Sequence, residues 1–409
     1  MRAPACRPEI WSVPDPEERA RQAYAVALPN QQRFVYGLGP VSFEVVFDEP
    51  AGYDRFLAAD VYTAAKDFVD GRFDIRGDLL SAVSFKASHP GTAFRRATGA
   101  FLALVSSWRL EALVQSRLRA RRNVEFHYDR SNEFYEVFLD SRMVYSCAYF
   151  RGPSQSLEDA QLAKLDLICR KLDVQPNDRF LDIGCGWGAL LLHAAGTYGA
   201  TCTGCTLSEA QANQAKESAE IQGLTDCVQV HTADFREVQG VFDKIASVGM
   251  FEHVGRRRLH HYFEKVFGLL GPDGLFLNHG IVRPQCVRDG PESRFLRNYV
   301  FPGGELAHLS DVLRAAEDVG FEVLDVENLR PHYAMTCSHW VRRLASAERF
   351  CTDHVGREAY RIWLLYLAAS SLSFEEGGTD VYQVLFAKRT GRTRRLTREY
   401  ILEHGCHGS

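Results

Sequence analysis

The pattern that points most directly to chemistry is a set of three glycines at alternate positions. Gly184, Gly186 and Gly188 follow the apolar stretch Arg179–Ile183, and Asp182 stands two residues before the first glycine. Glycine allows the backbone to turn sharply and to approach a ligand closely. A helix that starts after such a turn offers unpaired N–H groups and a positive potential. The pattern therefore predicts a nucleotide-type ligand at the carboxyl end of a strand; the alternative is a tight turn that binds nothing.

The next predicted strand ends without an acidic residue for a ribose. A nucleotide site often has one there, but Thr203–Leu207 has none, and the first acid, Glu209, already belongs to the following helix. A ribose would therefore be bound in another way. Ser208 and Gln211 form a capping-box pattern, so Gln211 is either a helix cap or a ligand contact. Asp234, after the third strand, stands where such folds usually contact adenine.

Four further residues combine reactive side chains with strand ends or apolar surroundings. Glu252 follows the fourth strand and could cap the next helix, and His279 ends a buried strand and could be a satisfied core group. Tyr333 could be a core aromatic residue whose hydroxyl bonds to the backbone, and Cys147 could be an inert buried thiol. Because strand ends carry the sites in such sheets, a functional role is favoured for His279.

A series of short segments carries a family resemblance. The segments are His127–Asp129, Tyr145–Phe150, the glycine turn, Val248–Gly255, Asn278–Ile281, Phe301–Gly304 and Pro331–Tyr333. In this order they resemble the cyclopropane-fatty-acyl-phospholipid synthase family, which includes the related mycolic-acid-modifying methyltransferases, over residues 123–390. The GxGxG spacing differs from the GxGxxG dinucleotide fingerprint and resembles motif I of class I methyltransferases.

The resemblance implies a cofactor, a reaction and a base. The cofactor is S-adenosylmethionine, whose sulfonium methyl group is attacked by the double bond of an unsaturated phospholipid acyl chain. The attack leaves a carbocation, a bound bicarbonate ion removes a proton from the new methyl group, and the cyclopropane ring closes. This chemistry needs a dry pocket, because water would trap the cation. The aromatic faces of Tyr145, Phe251 and Tyr333 are candidates to stabilise the cation.

The resemblance also implies roles for individual residues. The side chains of Glu252, His279 and Tyr333 would bind the bicarbonate, and Cys147 and Ile281 would contribute from the same shell through backbone groups. Glu252 would accept a hydrogen bond from the bicarbonate hydroxyl, while His279 and Tyr333 would donate. The residues assigned to the cofactor are Tyr145, Ser146, Asp182, Gly184, Gly186, Gly188, Thr206, Leu207, Gln211, Asp234 and Phe235.

Three other functions stay open on the sequence. The enzyme could stop after methyl transfer and give a methyl-branched or methylene chain, it could methylate a small natural product at N or O, or the chain could bind lipid or cofactor without turnover. Retention of Glu252, His279 and Tyr333 argues against a silent protein. Two departures from the family pattern, Ser370 in place of a frequent cysteine and Arg130–Asn132 in place of Leu-Gly-Asn, leave the product open.

These residues need a scaffold of alternating strands and helices. Leu162, Leu165, Ile168 and Leu172 mark the first helix of the alternating region. The predicted strands are Arg179–Ile183, Ala200–Leu207, Val228–His231, Phe242–Val248, Leu275–His279, Phe321–Asp325 and Val381–Lys388. Such alternation implies βαβ units. We therefore expect an α/β, Rossmann-like, doubly wound and mainly parallel seven-stranded sheet whose last strand is antiparallel.

A small α+β domain over residues 1–122 is predicted to precede a catalytic domain over residues 123–409. Val41–Phe47 alternates like a half-buried strand, and Leu57, Val61, Ala65 and Phe68 recur at helical spacing. Further predicted elements are an extended piece at Phe73–Ile75, helices at Asp78–Phe85 and Phe101–Leu113, and an arginine-rich stretch at 117–122. This first domain is a candidate for contact with lipid.

Composition and charge narrow the class of protein. The 409 residues include 48 Lys and Arg against 52 Asp and Glu, a net charge of −4, which argues against a nucleic-acid binder.

No secretory signal or membrane-spanning run is visible, so we expect a cytoplasmic protein. Because its substrate bond lies inside a bilayer, we expect peripheral contact with the inner face of the membrane. Two basic runs, Arg117–Arg122 and Arg256–Arg258, could contact anionic headgroups; the alternative is that they are solvated surfaces. A homodimer is one expected assembly.

The cysteines predict neither disulfides nor a metal site. Eleven is an odd number, and the chain shows no export signal. Cys202 and Cys205 lie three residues apart on one predicted strand, so their side chains should face opposite sides of the sheet. His404, Cys406 and His407 have no visible partners for a metal, and no metal is expected.

Overall fold

The N-terminal part of the chain forms a four-stranded sheet with helices. The computed structural model describes residues 22–29, 32–89, 132–287, 306–390 and 396–402. The first elements are β1 (Ala23–Ala27), β2 (Arg33–Tyr36), β3 (Val41–Phe47), α1 (Ala51–Ala58), α2 (Val61–Val69), β4 (Phe73–Gly77) and α3 (Leu79–Ser88). The strand order is β2-β1-β3-β4, with β1 and β3 parallel and the other pairs antiparallel.

Local sequence explains most of these elements. Strand β3 alternates as predicted and buries Phe43, Val45 and Phe47. The apolar residues predicted to lie on one helix over residues 57–68 are divided between two helices, α1 and α2. The Asp60 side chain caps the start of α2, because it accepts a hydrogen bond from the Thr63 N–H at 2.7 Å. Strands β1 and β2 had no sequence prediction.

The larger sheet has seven strands and mainly parallel pairing, as predicted. Its strands are β5 (Arg179–Ile183), β6 (Thr201–Thr206), β7 (Val228–Thr232), β8 (Phe242–Val248), β9 (Leu270–Val282), β10 (Phe321–Asn328) and β11 (Asp380–Lys388). Their order is β10-β11-β9-β8-β5-β6-β7. Strands β5 to β9 pair in parallel, and β11 lies antiparallel between β9 and β10. This order places the carboxyl ends of β5, β6, β7 and β8 side by side.

Helices cover both faces of this sheet, so the sheet is doubly wound. The helices are α4 (Asn132–Glu136), α5 (Leu157–Lys171), α6 (Ala189–Tyr198), α7 (Glu209–Ile221), α8 (Leu259–Leu269), α9 (Leu309–Val319), α10 (Arg330–Ser346), α11 (Glu348–Val355), α12 (Arg357–Glu376) and α13 (Glu399–Leu402). One core cluster joins α5, α6 and α7 to the sheet, and another joins α8 and α9 to the opposite face. Cys202 belongs to the first cluster and Cys205 to the second, as the strand periodicity predicted.

A third core cluster joins the N-terminal sheet to helices α4, α10 and α12. It runs from Phe43 and Phe85 through Tyr135 to Trp340 and Trp363. The segments 101–113, 117–122, 127–129 and 301–304 and the predicted boundary at residue 122 lie outside the described residues. Within the described part of the chain, no helix is both long and apolar enough to cross a bilayer.

Candidate functional site

A cavity of about 460 Å³ opens at the carboxyl ends of the central strands. It lies over the glycine turn between β5 and α6, where Gly184, Gly186 and Gly188 have φ values of +83°, +54° and +85°. Glycine adopts this left-handed conformation without the strain that a side chain would bring. The chain can therefore turn from β5 directly into α6 and leave its backbone open to a ligand.

Most of the residues predicted to bind the cofactor line this cavity. They are Tyr145, Ser146, Asp182, Gly184, Gly186, Thr206, Leu207, Gln211, Asp234 and Phe235. Gly188 is the exception, because a Cβ atom there would lie 2.8 Å from the Cβ of Ala215. Gly188 therefore allows α6 and α7 to pack closely instead of facing the cavity.

Two polar residues at the cavity edge have partners that the sequence did not suggest. The Gln211 amide oxygen accepts a hydrogen bond from the Thr206 hydroxyl at 2.8 Å. Only half of the predicted capping box forms, since Ser208 accepts from the Gln211 N–H while its own N–H donates to Thr206 Oγ1. Asp234 accepts hydrogen bonds from the backbone N–H and the guanidinium of Arg236, so its carboxylate is already paired beside the predicted adenine position.

The floor of the cavity contains buried ionisable groups. Asp182 is 3% exposed, its Oδ1 has no hydrogen-bond partner among the described residues, and burial raises the pKa of its carboxyl to about 7. Lys164, which the sequence analysis did not single out, is buried in α5 and donates to the Ser146 hydroxyl at 3.1 Å. Burial lowers the pKa of Lys164 to about 8.

Beside the cavity, Glu252 is held by a backbone group of the neighbouring strand. Its Oε1 accepts a hydrogen bond from the Ile281 N–H at 2.7 Å, so Glu252 does not cap a helix and the Ile281 N–H is already used. Its Oε2 is buried and has no hydrogen-bond partner in the described part of the chain. Burial raises the pKa of this carboxyl to about 7.

His279 lies two residues before Ile281 on β9 and is held by strand β11. Its Nδ1 lies 3.1 Å from the Nε2 of Gln383, which faces it in the antiparallel register. If the amide N–H donates to Nδ1, the ring proton is on Nε2, which is buried without a partner among the described residues. Burial lowers the pKa of His279 well below its usual value, so the ring is neutral. It can therefore donate one hydrogen bond from Nε2.

Tyr333 and Cys147 belong to the aromatic core next to these groups. Tyr333 stacks on Phe374 with ring centroids 4.5 Å apart. Burial raises the pKa of its hydroxyl well above the usual value, and the nearby Cys147 and Glu252 raise it further. The Cys147 thiol is fully buried, points to the Ala148 carbonyl at 3.2 Å and has a raised pKa for the same reason. Cys147 is therefore a neutral thiol and not a nucleophile.

Gly280 is a further residue that the sequence analysis did not select. A Cβ atom there would overlap the ring of Phe251 and would lie 3.0 Å from Glu252 Oε1. The turn that carries Phe251 and Glu252 can approach β9 only because residue 280 has no side chain. The same turn contributes Met250 and His253 to the cavity wall, so Glu252 lies next to the cavity, although Glu252, His279 and Tyr333 do not line it.

The strand order, the glycine turn and the cavity over it define a class I S-adenosylmethionine-dependent methyltransferase. The family model described as "Mycolic acid cyclopropane synthetase" matches residues 115–384. The chain belongs to this family.

Relatives of known name support the same assignment. A probable fatty acid methyltransferase of Pseudomonas putida is 38% identical over 364 residues, which cover 86% of this chain and 89% of that protein. A sphingolipid C9-methyltransferase of Candida albicans is 30% identical over 89% of this chain and 75% of its own length. The crystal structure of the mycolic acid cyclopropane synthase CmaA1 complexed with SAH and CTAB aligns with a TM-score of 0.63 at 33% identity, over 66% of this chain and 98% of that one. The chain is therefore an S-adenosylmethionine-dependent methyltransferase of a lipid-modifying family.

Proposed function

We propose that this enzyme transfers a methylene group from S-adenosylmethionine to the double bond of an unsaturated phospholipid acyl chain and closes a cyclopropane ring. The observation that carries the proposal is that two polar atoms, Glu252 Oε2 and His279 Nε2, are buried without a hydrogen-bond partner among the described residues, while the Glu252–Ile281 hydrogen bond joins the turn of Glu252 to the strand that carries His279. Methyl transfer to N or O needs a base only for the proton of the attacked heteroatom. Ring closure must instead remove a proton from the new methyl group, and this requires a base beside that carbon.

The chemistry of these groups fits a bicarbonate ion. His279 is neutral and offers an N–H donor, and the Tyr333 hydroxyl remains protonated because its pKa is raised. Glu252 in its ionised form accepts a hydrogen bond, as the hydroxyl of bicarbonate requires. Bound there, bicarbonate would supply the base, and the residues of this chain would orient it. The Ile281 N–H already binds Glu252, so its contribution is to fix that carboxylate and not to contact the ion.

The aromatic side chains of Tyr145, Tyr333 and Trp340 suit a cationic intermediate. Tyr145 lies against Trp340 with ring centroids 5.2 Å apart, and Tyr333 lies 6.1 Å from the same indole. These side chains exclude water, which would otherwise capture a carbocation, and their faces attract positive charge. Phe251, the third aromatic residue predicted for this role, is buried against Gly280.

The second candidate is methylation of the acyl double bond without ring closure. The relatives named as a fatty acid methyltransferase and a sphingolipid C9-methyltransferase favour it. Both reactions begin with the same attack and differ in which proton is removed. Glu252, His279 and Tyr333 can serve either reaction, and the orientation of the base that they hold decides between the two products.

Mass spectrometry of lipids from cells that produce the protein tests the proposal. We expect a new acyl species heavier by one CH2 unit that resists hydrogenation and shows cyclopropane protons by NMR. The Glu252→Gln variant is the control and should bind S-adenosylhomocysteine but form no new species. A methyl or methylene branch on a chain that still takes up hydrogen would favour the second candidate, because loss of a proton without ring closure leaves a double bond. An unchanged lipid profile with active cofactor binding would contradict both.

We further propose peripheral binding to the inner face of the cytoplasmic membrane through basic residues. Arg257 is exposed, whereas Arg256 already pairs with Asp311 at 2.9 Å. We expect sedimentation with anionic liposomes to weaken steeply as salt is raised. Binding that is indifferent to salt would instead indicate purely hydrophobic docking. We also propose that a domain boundary lies at residue 122 and that the enzyme forms a homodimer.

A further inference from the structure

The buried lysines of α5 differ in their partners. Lys164 and Lys171 are 2% and 1% exposed and lie seven residues apart, so they share one face of the helix. Lys171 pairs with two carboxylates, Asp325 at 3.1 Å and Glu327 at 2.5 Å. For Lys164, no carboxylate of the described residues lies within ion-pair distance, and its hydrogen-bond acceptor is the neutral Ser146 hydroxyl. Lys164 is thus a buried cation that makes no direct ion pair with the described residues, and the carboxylates of Asp140 and Asp182 act on it only from a longer distance.

The position of Lys164 shows where a counter-ion would enter. Lys164, Ser146 and Asp182 all line the cofactor cavity. The backbone that carries Ser146 is fixed from the same helix, because the Gln161 amide donates to the Ser146 carbonyl at 2.9 Å. An isolated buried charge is costly, and natural sites neutralise it by pairing or by a bound ligand. The cofactor of this family carries one anionic group, the carboxylate of its methionyl end.

We propose that Lys164, together with the Ser146 hydroxyl that it orients, binds the carboxylate of the methionyl end of S-adenosylmethionine. The ammonium donates to Ser146 Oγ, so the serine proton remains available for a second acceptor in the cavity. A cation and a hydroxyl side by side match the two oxygens of a carboxylate. The inference concerns the cofactor alone and does not depend on the acyl substrate or on bicarbonate.

Calorimetric titration with two ligands tests this assignment. The first ligand is S-adenosylhomocysteine, and the second is S-adenosyl-3-thiopropylamine, which lacks only the carboxylate. In the Lys164→Met variant we expect the affinity for the first ligand to fall about 10- to 100-fold, as for loss of a charge-assisted hydrogen bond. The affinity for the second ligand should stay within about threefold of its wild-type value. Because both ligands are measured on the same variant, a general loss of folded protein cannot imitate this selectivity.

Three further variants make the test specific. Ser146→Ala should show a smaller loss with the same selectivity. Lys171→Met removes a buried lysine from the same helix face but not from the cavity, and it should leave the ratio of the two affinities unchanged. Arg258, which also lines the cavity, is the rival cation. Equal weakening of both ligands in Lys164→Met, or a carboxylate-selective loss in Arg258→Met with none in Lys164→Met, would overturn the proposal.

Discussion

At the scale of single residues, the acid–base behaviour of the site follows from burial. Glu252 accepts only one hydrogen bond from the described residues, and the surrounding apolar groups raise the pKa of its carboxyl to about 7. Asp182 has a pKa of about 7 for the same reason. Two carboxyl groups therefore change charge near neutral pH, one in the wall of the cavity and one beside the proposed base.

We expect turnover to rise with pH as Glu252 loses its proton. A raised pKa means that the protonated form predominates below about pH 7, and only the ionised form accepts the bicarbonate hydroxyl. Turnover at saturating cofactor should increase up to tenfold per pH unit below this value and level off above it. Infrared titration can assign the group, because two carboxyl bands should titrate near this pH, of which Glu252→Gln removes one and Asp182→Asn removes the other. A Glu252 band that titrates near pH 4.5, the ordinary value for this group, would contradict the expectation.

Gly280 gives a second prediction at this scale. Alanine at this position would displace the ring of Phe251 and with it the Glu252 carboxylate. We expect turnover to fall at least about tenfold while S-adenosylhomocysteine still binds, because Gly280 does not line the cavity. Gly268→Ala is the matched control, since Gly268 lies in α8 with open space around it and alanine there should stabilise the helix by about 1 kcal/mol. Normal turnover in Gly280→Ala would show that the position of Glu252 is unimportant.

At the scale of elements, the insertion of β11 antiparallel to β9 fixes the tautomer of His279, because it places the Gln383 amide beside the ring. The register pairs Gln383 with His279, and a shift by one residue would turn the amide to the other face of the sheet. In Gln383→Leu we expect kcat to fall about 10- to 100-fold, because the ring loses the partner that fixes its tautomer. Affinity for S-adenosylhomocysteine should not change. Tyr382→Phe, on the opposite face of the same strand, should have little effect, and equal losses in both variants would indicate general damage to β11.

Sequence periodicity predicted the elements of the larger sheet better than the contacts between them. The bounds of β5 and β8 were predicted to the residue, because each is a short buried run between clear turn residues. Strands β1 and β2 were missed, since β1 is mostly alanine and β2 is exposed at every position, so neither shows the alternation of a half-buried strand. Lys164 was not singled out, although its spacing of four from Ile168 placed it on the buried face of α5. Gln383 could not be found, because its partner lies 104 residues away.

At the scale of the whole molecule, one core spans the N-terminal sheet and the helices beside the site. Arg361 of α12 is 1% exposed and donates hydrogen bonds to the backbone carbonyls of Phe68 and Phe73, while its guanidinium also pairs with Asp74. The guanidinium lies 4.7 Å from the ring of Phe68. A single side chain of the catalytic part therefore satisfies backbone groups of the N-terminal part. We infer that the two parts stabilise each other.

Replacing Arg361 by methionine should lower the free energy of unfolding by about 2–4 kcal/mol, because two backbone carbonyls would each lose a buried charged donor, and Phe68 would keep only the N–H of Gly71. Asp74→Asn should cost at most about 1 kcal/mol, since the Asp74 side chain is 48% exposed and water screens its charge. Arg357→Met is the matched control: Arg357 is 58% exposed on the same helix and contacts the same aspartate, so a change within about 0.5 kcal/mol is expected. Urea denaturation of the full chain measures all three. A loss in Arg357→Met as large as that in Arg361→Met would mean that the surface ion pairs, and not the buried carbonyl contacts, join the two parts.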